Sequence, residues 1–320
     1  MYRLCIGYVS VMYRLCIGVC KKKDRNTCIF ESFVLSLQQI TVVFAQKMNW
    51  QTALYRISSY LKHCLTARNT GGHGIHSPYL FELVRMVLHD ENVYYAWDKI
   101  EEVRERMLAD EREVEFVDYG SGKRRLGDEA KDNRIVKNIA KGSLAKKKYA
   151  QTMARLVNWL GTSRSLNIVE LGTSLGVTTA YLAAVDSRNK VVTYEGCPAV
   201  AEIAKENWKS LGLSNIECVV GEITVDNLQI TVDSLRGIDV AFIDANHTHA
   251  GTRAYFNVLA EKMHEKSVMI VDDIHYNEEM DKAWQEICED KRVTSTMDLY
   301  QMGLVFFDKN YWRKNYKIRL

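Results

Sequence analysis

Residues 169–176 read VELGTSLG, an apolar run that passes into a glycine-containing turn just before a helical segment. Gly172 and Gly176 would let the backbone approach a ligand closely at the N-terminus of that helix. A dinucleotide-binding turn of the form G-x-G-x-x-G needs a middle glycine, and Ser174 stands in its place here. Glu170 would repel a pyrophosphate, but it could pair with a cationic ligand group. The turn therefore disfavours a dinucleotide and predicts a different nucleoside ligand.

Short β-branched runs alternate with helical stretches from residue 166 onward. They occupy residues 166–171, 190–195, 216–220, 238–244, 267–272, 292–299 and 301–308. Alternation of this kind predicts βαβ units and a parallel sheet. The last two runs are separated only by a tight turn, which predicts an antiparallel hairpin. We therefore expect an α/β fold with a Rossmann-like doubly wound sheet of seven strands, five parallel plus an antiparallel C-terminal hairpin.

Acidic residues end the second and third predicted strands. Glu195 closes the second strand, where a carboxylate can accept hydrogen bonds from two ribose hydroxyls. Glu222 follows the third strand, where an acid can accept a hydrogen bond from an adenine amino group. A ligand with an amine, a ribose and an adenine but no phosphate is S-adenosylmethionine or a relative.

This ordered set of motifs resembles the class I S-adenosylmethionine-dependent methyltransferases. Glu170 and the two glycines match the acid-x-Gly-x-Gly-x-Gly turn of that family, and Ser174 departs from it. The acid after the third strand is usually Asp in the family, so Glu222 is a conservative departure. The resemblance implies the following cofactor-binding residues: Glu170, Gly172, Thr173, Ser174, Gly176, Glu195, Glu222 and Asp244.

Three aspartates follow the fourth and fifth predicted strands, namely Asp244 and the pair Asp272-Asp273. Carboxylates that converge on one point repel each other unless a cation lies among them, and Mg²⁺ prefers such oxygen ligands. The pattern resembles the catechol and caffeoyl-CoA O-methyltransferase group, which implies metal binding by these three residues, with Asp273 in place of Asn. A second interpretation stays open, in which one acid positions the methionine part of the cofactor and the others cap helices.

His247 lies three residues beyond Asp244, where the metal-dependent enzymes of that group carry a catalytic Lys. A histidine can accept a proton from a substrate hydroxyl near neutral pH, so His247 is the candidate general base. The alternative is that His247 bonds the N-terminus of the following helix. His249 and His275 are weaker candidates for the same role.

The chain divides into four predicted regions. Residues 1–47 form a doubtful N-terminal extension, because the heptamer MYRLCIG occurs at 1–7 and again at 12–18. Residues 48–160 read as a mostly helical cap, which contains a glycine-rich segment at 71–78 and a loop at 117–122. Residues 161–308 form the predicted methyltransferase domain, and residues 309–320 a basic tail.

The bulk composition is that of a soluble globular protein of 320 residues, with a net charge of +3 and scattered cysteines. The charge is too small to indicate nucleic acid, and no apolar run reaches the length of a transmembrane helix. The cysteine pattern favours a reducing, cytoplasmic location. The oligomeric state cannot be deduced.

We expect S-adenosylmethionine-dependent O-methyl transfer to a small-molecule acceptor, with a divalent metal such as Mg²⁺ as an open question. Two alternatives belong to other classes. A non-catalytic nucleotide-binding protein could use the same fold, because fold does not determine function. An NAD-dependent oxidoreductase would share the nucleotide-binding architecture, but Ser174 and Glu222 count against it.

Overall fold

The computed structural model describes residues 50–117 and 131–320. The predicted extension at 1–47 and nearly all of the predicted loop at 117–122 lie outside the described residues. The chain divides into two compact units, Met1–Tyr55 and Arg56–Leu320. Of the first unit only 50–55 are described, and they begin a helix. Every contact reported below lies within the second unit.

The strands of the described residues are as follows. They are β1 (Glu113–Val117), β2 (Lys131–Ile135), β3 (Asn167–Leu171), β4 (Lys190–Glu195), β5 (Ile216–Val220), β6 (Ile238–Ile243), β7 (Met263–Asp272), β8 (Ser295–Asp298), β9 (Met302–Phe306) and β10 (Lys314–Lys317). Strands β1 and β2 form an antiparallel pair, and the other eight form one sheet in the order β10-β8-β9-β7-β6-β3-β4-β5.

The helices are α1 (Trp50–Thr66), α2 (Pro78–Leu83), α3 (Ala96–Ala109), α4 (Val136–Ser143), α5 (Lys147–Leu160), α6 (Val177–Ala183), α7 (Pro198–Ser210), α8 (Val225–Ser234), α9 (His249–Ala260) and α10 (Glu278–Glu289). Local sequence signals fix several helix starts. Thr224 and Thr248 cap α8 and α9 by accepting hydrogen bonds from backbone amides of the first turn, and Asn277 caps α10 in the same way. Helix α7 begins with Pro198, whose missing N–H costs nothing at that position.

Strands β3 to β7 run parallel, with β3 between β4 and β6. Strand β9 pairs antiparallel with both β7 and β8. The predicted doubly wound sheet, with five parallel strands and an antiparallel C-terminal hairpin, is therefore confirmed. The chain reverses its direction of travel between β3 and β6, so the carboxyl ends of these two strands border the crevice where ligands bind in such sheets.

Helices cover both faces of the sheet, because alternate residues of its strands are apolar on each side. One face packs Ile168 of β3 against apolar side chains of α2 and α5. The other face packs Val169, the next residue, against α8, α9 and α10. A third cluster joins α3 and α4 to α6 and α7. Helices of the region 48–160 thus bury the sheet that carries the predicted site.

Two features differ from the sequence-based expectation. The region predicted as mostly helical also contains the β1–β2 pair. These two strands are rich in charged residues, so the apolar alternation that would predict a strand pair is weak. The basic tail contains β10, which pairs parallel with β8 and gives the sheet eight strands instead of seven. Its sequence KNYK has too little apolar character to predict an edge strand. Among the described residues, no helix is long and apolar enough to cross a membrane.

Candidate functional site

The turn after β3 has a backbone that only certain residues can adopt. Gly172 has φ of +101°, and a Cβ added there would collide with the carbonyl oxygen of Asp244. Gly176 has φ of +75° and lies against the Trp208 indole, which donates a hydrogen bond of 2.8 Å to the Gly176 carbonyl oxygen. Ser174, between them, also adopts a positive φ of 49°. The turn therefore crosses closely over the end of β6 and fixes the start of α6.

A cavity of about 720 Å³ opens beside this turn, at the carboxyl ends of the parallel strands. Of the predicted site residues, the cavity is lined by Gly172, Ser174, Glu195, Glu222, Asp244, His247, Asp272 and Asp273. The structure thus brings together residues that are separated by a hundred positions in the sequence. The lining does not include Glu170, Thr173 or Gly176.

Glu195 is held rigidly at the end of β4. Its carboxylate accepts hydrogen bonds from the backbone N–H groups of Ser174, at 2.7 Å, and Cys197, at 2.9 Å. Burial raises the pKa of Glu195, and these backbone hydrogen bonds oppose that effect. Each carboxylate oxygen retains a further lone pair, so Glu195 can still accept hydrogen bonds from a ligand in the cavity.

Glu170 lies beneath the turn instead of in the cavity, and its residue is 0% exposed. Its carboxylate accepts hydrogen bonds from the hydroxyls of Thr179, at 2.5 Å, and Thr193, at 2.7 Å. The Thr193 hydroxyl also lies 2.6 Å from that of Thr173, which is equally enclosed. Burial raises the pKa of Glu170 to about 7. Glu170 therefore contacts the underside of the turn and not the ligand space for which it was predicted.

The three predicted metal-binding aspartates lie along one wall of the cavity. Burial, followed by the negative charge of Asp273, raises the pKa of Asp272 to about 8. Burial and the charges of Asp272 and Asp273 likewise raise the pKa of Asp244 well above its usual range. Their mutual repulsion would be relieved by a proton or by a cation. However, no set of oxygen atoms, one from each of these three carboxylates, lies within 4.8 Å of one another. Among the described residues, His63, His275 and Asp298 meet this distance.

His247 faces the cavity beside Asp244, with 3.8 Å between His247 Nε2 and Asp244 Oδ1. Its ring centroid lies 5.7 Å from that of Tyr276 on the opposite loop. The N-terminus of α9 is capped by Thr248, which accepts a hydrogen bond from the Gly251 N–H. The geometry therefore provides no helix-capping role for His247 and leaves its ring beside the ligand space.

The weaker histidine candidates have other partners. His249 lies 3.0 Å from Glu286 of α10. His275 lies between two carboxylates away from the cavity lining. The glycine-rich segment at 71–78 also lies outside the lining; its Ile75 is buried in a core, and its Ser77 caps α2. These contacts are those of a structural loop.

Several cavity residues could not be identified from the sequence. Ser143, at the end of α4, places its hydroxyl 2.6 Å from that of Ser174. Asn246 adopts a positive φ of 51° after β6, and its side-chain oxygen accepts a hydrogen bond from Thr248. Tyr276 lies beneath the Arg56 guanidinium, 4.5 Å from the ring centroid. A small or polar residue after a strand is too common a signal to identify such positions without the fold.

Part of the chain that contributes to the cavity matches a known family of protein domains. Residues 169–274 match a family described as "Methyltransferase domain". A 74-residue stretch is 35% identical to the protein-L-isoaspartate O-methyltransferase of Magnetococcus marinus (strain ATCC BAA-1437 / JCM 17883 / MC-1). The aligned stretch covers 23% of this chain and 32% of that protein. The chain therefore spans about a third of the length of this relative.

Solved structures with a similar arrangement include two that contain S-adenosylhomocysteine. One is the methyltransferase PaMTH1 of Podospora anserina, with a TM-score of 0.48, 13% identity, and coverage of 73% of this chain and 97% of that chain. The other is an O-methyltransferase of Bacillus cereus, with a TM-score of 0.47, 18% identity, and coverage of 70% and 99%. The family match, together with the strand order seen here, confirms that residues 169–274 carry a methyltransferase domain.

Proposed function

We propose that this chain is an S-adenosylmethionine-dependent methyltransferase that transfers a methyl group to an oxygen of a small-molecule acceptor. The observation that carries the proposal is the placement of Glu195. Its carboxylate is fixed by two backbone amides at the end of β4, and it borders the same cavity as the turn after β3. A preorganised acceptor at this position suits the two hydroxyls of a ribose.

The donor set fits the cofactor in chemistry and in space. Glu195 would accept from the ribose hydroxyls and Glu222 from the adenine amino group, while backbone groups of Gly172 and Ser174 and the carboxylate of Asp244 would hold the methionine part. A cavity of about 720 Å³ lies within the range of small-molecule sites, roughly 300–1,000 Å³. When bound, the cofactor supplies a methyl group on a positively charged sulfur.

The chain itself would contribute mainly orientation and electrostatics. The acidic wall formed by Asp244, Asp272 and Asp273 favours a cationic ligand, and the rigid turn at Gly172 limits the positions that such a ligand can take. Glu170 would act through the turn, as a positioning residue whose hydrogen bonds to Thr179 and Thr193 hold β3, β4 and α6 together.

His247 is the residue that we propose as the general base. Its ring is 34% exposed and borders the cavity, so an acceptor hydroxyl could reach it. An imidazole can take this proton as the methyl group transfers, and Asp244 Oδ1 lies 3.8 Å from His247 Nε2. The proton would then leave to solvent through the exposed edge of the ring.

A divalent cation such as Mg²⁺ is a further part of the proposal. Asp244, Asp272 and Asp273 would hold it after their side chains move closer together, because all three line the cavity, Mg²⁺ prefers carboxylate oxygens, and the ion would relieve their mutual repulsion. When bound, the ion would lower the pKa of an acceptor hydroxyl and orient it. Equilibrium dialysis of Mg²⁺ against the parent and an Asp272→Asn variant tests this; equal retention by both would exclude the assignment.

The acceptor is proposed to be a small hydroxylated molecule and not a nucleic acid, because the net charge of +3 is small. The cavity receives Phe116, Arg134 and Asn138 from the region before the methyltransferase domain. The Arg134 guanidinium lies over the Phe116 ring, 3.9 Å from its centroid, so the acceptor would meet this cation–aromatic pair and the amide of Asn138. We also propose a cytoplasmic location, which suits the free cysteines Cys64 and Cys197, and cell fractionation would test it.

A methyl-transfer assay tests the proposed activity. The full chain would be incubated with isotopically labelled S-adenosylmethionine and catechol-type acceptors, with and without Mg²⁺, and products identified by mass spectrometry. Label should appear on an acceptor oxygen with the parent and with Glu217→Gln, whose exposed carboxylate pairs with Lys190. Label should be lost with Glu195→Gln. Transfer that is indifferent to Glu195, or transfer to an isoaspartyl peptide or RNA instead, would contradict the proposal.

A further inference from the structure

A second cluster of metal-ligand side chains lies outside the cofactor cavity. It consists of His63 of α1, His275 in the loop after β7, and Asp298 at the end of β8, and we refer to it as the His–Asp cluster. One ligand atom from each lies within 4.8 Å of the other two, and this is the one such group in 50–117 and 131–320. The site is enclosed, because His63 is 3% exposed and Asp298 4%.

Each histidine of the cluster has one ring nitrogen engaged on the outside. His275 Nδ1 lies 2.7 Å from the carboxylate of Asp281, and His63 Nε2 lies 3.2 Å from the carbonyl oxygen of Ile318. These contacts leave His275 Nε2 and His63 Nδ1 directed at Asp298. Metal-binding histidines show this arrangement, in which an outer carboxylate or carbonyl accepts the N–H and the other nitrogen faces the ion.

The inner contacts include a polar atom without a hydrogen-bond partner. His63 Nδ1 is buried and makes no hydrogen bond among the described residues, although it lies 3.3 Å from Asp298 Oδ1. If Nε2 carries the ring proton that is donated to Ile318, then Nδ1 presents a lone pair to a carboxylate oxygen. Two acceptors that face each other in a buried place are stabilised by a cation between or beside them, and a metal ion bound by both would be such a cation.

The spacing of the inner atoms suits a small transition-metal ion. His275 Nε2 lies 3.0 Å from Asp298 Oδ2, and His63 Nδ1 lies 3.3 Å from Asp298 Oδ1. Ligands placed tetrahedrally at the bond lengths of Zn²⁺, about 2.0–2.1 Å, are separated by about 3.3 Å. The two histidine–aspartate distances are therefore those of neighbouring ligands on such an ion, and the two ring nitrogens lie within 4.8 Å of each other.

The surroundings of the cluster hold its members in place. The Tyr300 N–H donates a hydrogen bond of 2.9 Å to Asp298 Oδ1, and the Tyr300 ring stacks on His275 with 5.4 Å between centroids. Tyr300 adopts φ of +73°, a conformation that a tyrosine keeps only when its neighbours impose it. The Lys317 ammonium lies 3.8 Å from Asp298 Oδ2 and would compete weakly with a metal.

We propose that His63, His275 and Asp298 bind one Zn²⁺-type ion as its three protein ligands. Two imidazoles and a carboxylate form a donor set that first-row transition metals bind more tightly than Mg²⁺ or Ca²⁺ do. The ion would tie α1 to the loop after β7 and to the hairpin of β8 and β9. That loop carries Asp273 and Tyr276 of the cavity wall, so the site would also stabilise the wall. This site is independent of the proposed activity.

Zinc titration of the purified full chain tests the proposal. Protein stripped by a chelator would be titrated with Zn²⁺ against a chromogenic competitor. The parent should bind one equivalent, and His63→Gln or Asp298→Asn should lower its affinity at least about 100-fold. His264→Gln is the matched control, because His264 pairs with the buried Asp239 elsewhere, and it should bind like the parent. An Asp244→Asn/Asp272→Asn protein should also retain the equivalent.

X-ray absorption of the Zn²⁺-loaded parent provides a readout that needs no variant. It should show two imidazole nitrogens and at least one oxygen at about 2.0–2.1 Å. Circular dichroism would establish that each variant is folded. The proposal is overturned if the parent binds no zinc, if His63→Gln binds like the parent, or if the spectrum shows oxygen neighbours alone.

Discussion

The buried carboxylate of Glu170 yields a prediction about how stability changes with pH. Its pKa is raised from 4.5 to about 7 in the folded chain, because burial disfavours the charged form more than the hydroxyls of Thr179 and Thr193 favour it. Between these two values the folded state keeps a proton that the unfolded state has released. The free energy of unfolding therefore falls as pH rises through this window, and the whole decrease has occurred once the pH is above the folded pKa. A shift of this size corresponds to about 3 kcal/mol.

Replacement of Glu170 by glutamine removes this titration. Glutamine can still accept the two threonine hydrogen bonds, but its NH₂ group would replace Oε1, which has no hydrogen-bond partner among the described residues. That unpaired donor costs about 1–3 kcal/mol at every pH. The informative quantity is therefore how the difference in free energy of unfolding between the parent and Glu170→Gln changes with pH. From pH 4.5 to pH 8, that difference should shift by about 3 kcal/mol in favour of Glu170→Gln.

Urea unfolding of the ligand-free protein, followed by circular dichroism at several pH values, measures this difference. Glu217→Gln is the matched control, because Glu217 lies on β5 of the same sheet, on the far side of β4, with an exposed side chain. Its stability difference from the parent should stay flat over the same range. If the stability difference between the parent and Glu170→Gln also stays constant with pH, then Glu170 is not a buried carboxyl that retains its proton.

Three further predictions follow from the site. Gly172→Ala should lower the free energy of unfolding by about 2 kcal/mol or more, since φ is +101° and the new methyl meets the Asp244 carbonyl; parent-like urea stability contradicts this. Glu195→Gln should weaken S-adenosylmethionine binding about 10–100-fold in calorimetry, as expected for losing a charged acceptor. His247→Ala should lower kcat about 100-fold with an unchanged cofactor Kd, and an unaltered pH–rate profile would remove His247 from the base role.

The parallel part of the sheet could be predicted because each of its strands has a recognisable local sequence pattern. Five buried parallel strands appear as apolar β-branched runs, and each ends near a residue that borders the cavity, such as Glu195 or Asp244. The edge strand β10 was missed because an edge strand buries few side chains, and its sequence shows no alternation of apolar and polar residues. The β1–β2 pair was missed because this alternation is weak across the two strands.

Most of the predicted site residues line one cavity, but their contacts could not be deduced from the sequence. Strand periodicity places Glu170 one residue from the end of β3, yet only the packed structure shows that its carboxylate points toward Thr179 and away from the ligand space. The His–Asp cluster was inaccessible to sequence reasoning. His63 of α1 contacts Asp298 of β8 only through the packing of the folded chain, and no local spacing connects residues that are so distant in the sequence.

We propose that the cavity beside Glu195 binds S-adenosylmethionine, and a calorimetric titration of the full chain with this cofactor measures the binding. We expect saturable binding at one site per chain that is clearly weakened in Glu195→Gln, unchanged in Glu217→Gln, and absent when NAD is the titrant. Absence of binding by folded protein, or equal binding by Glu195→Gln, would contradict it.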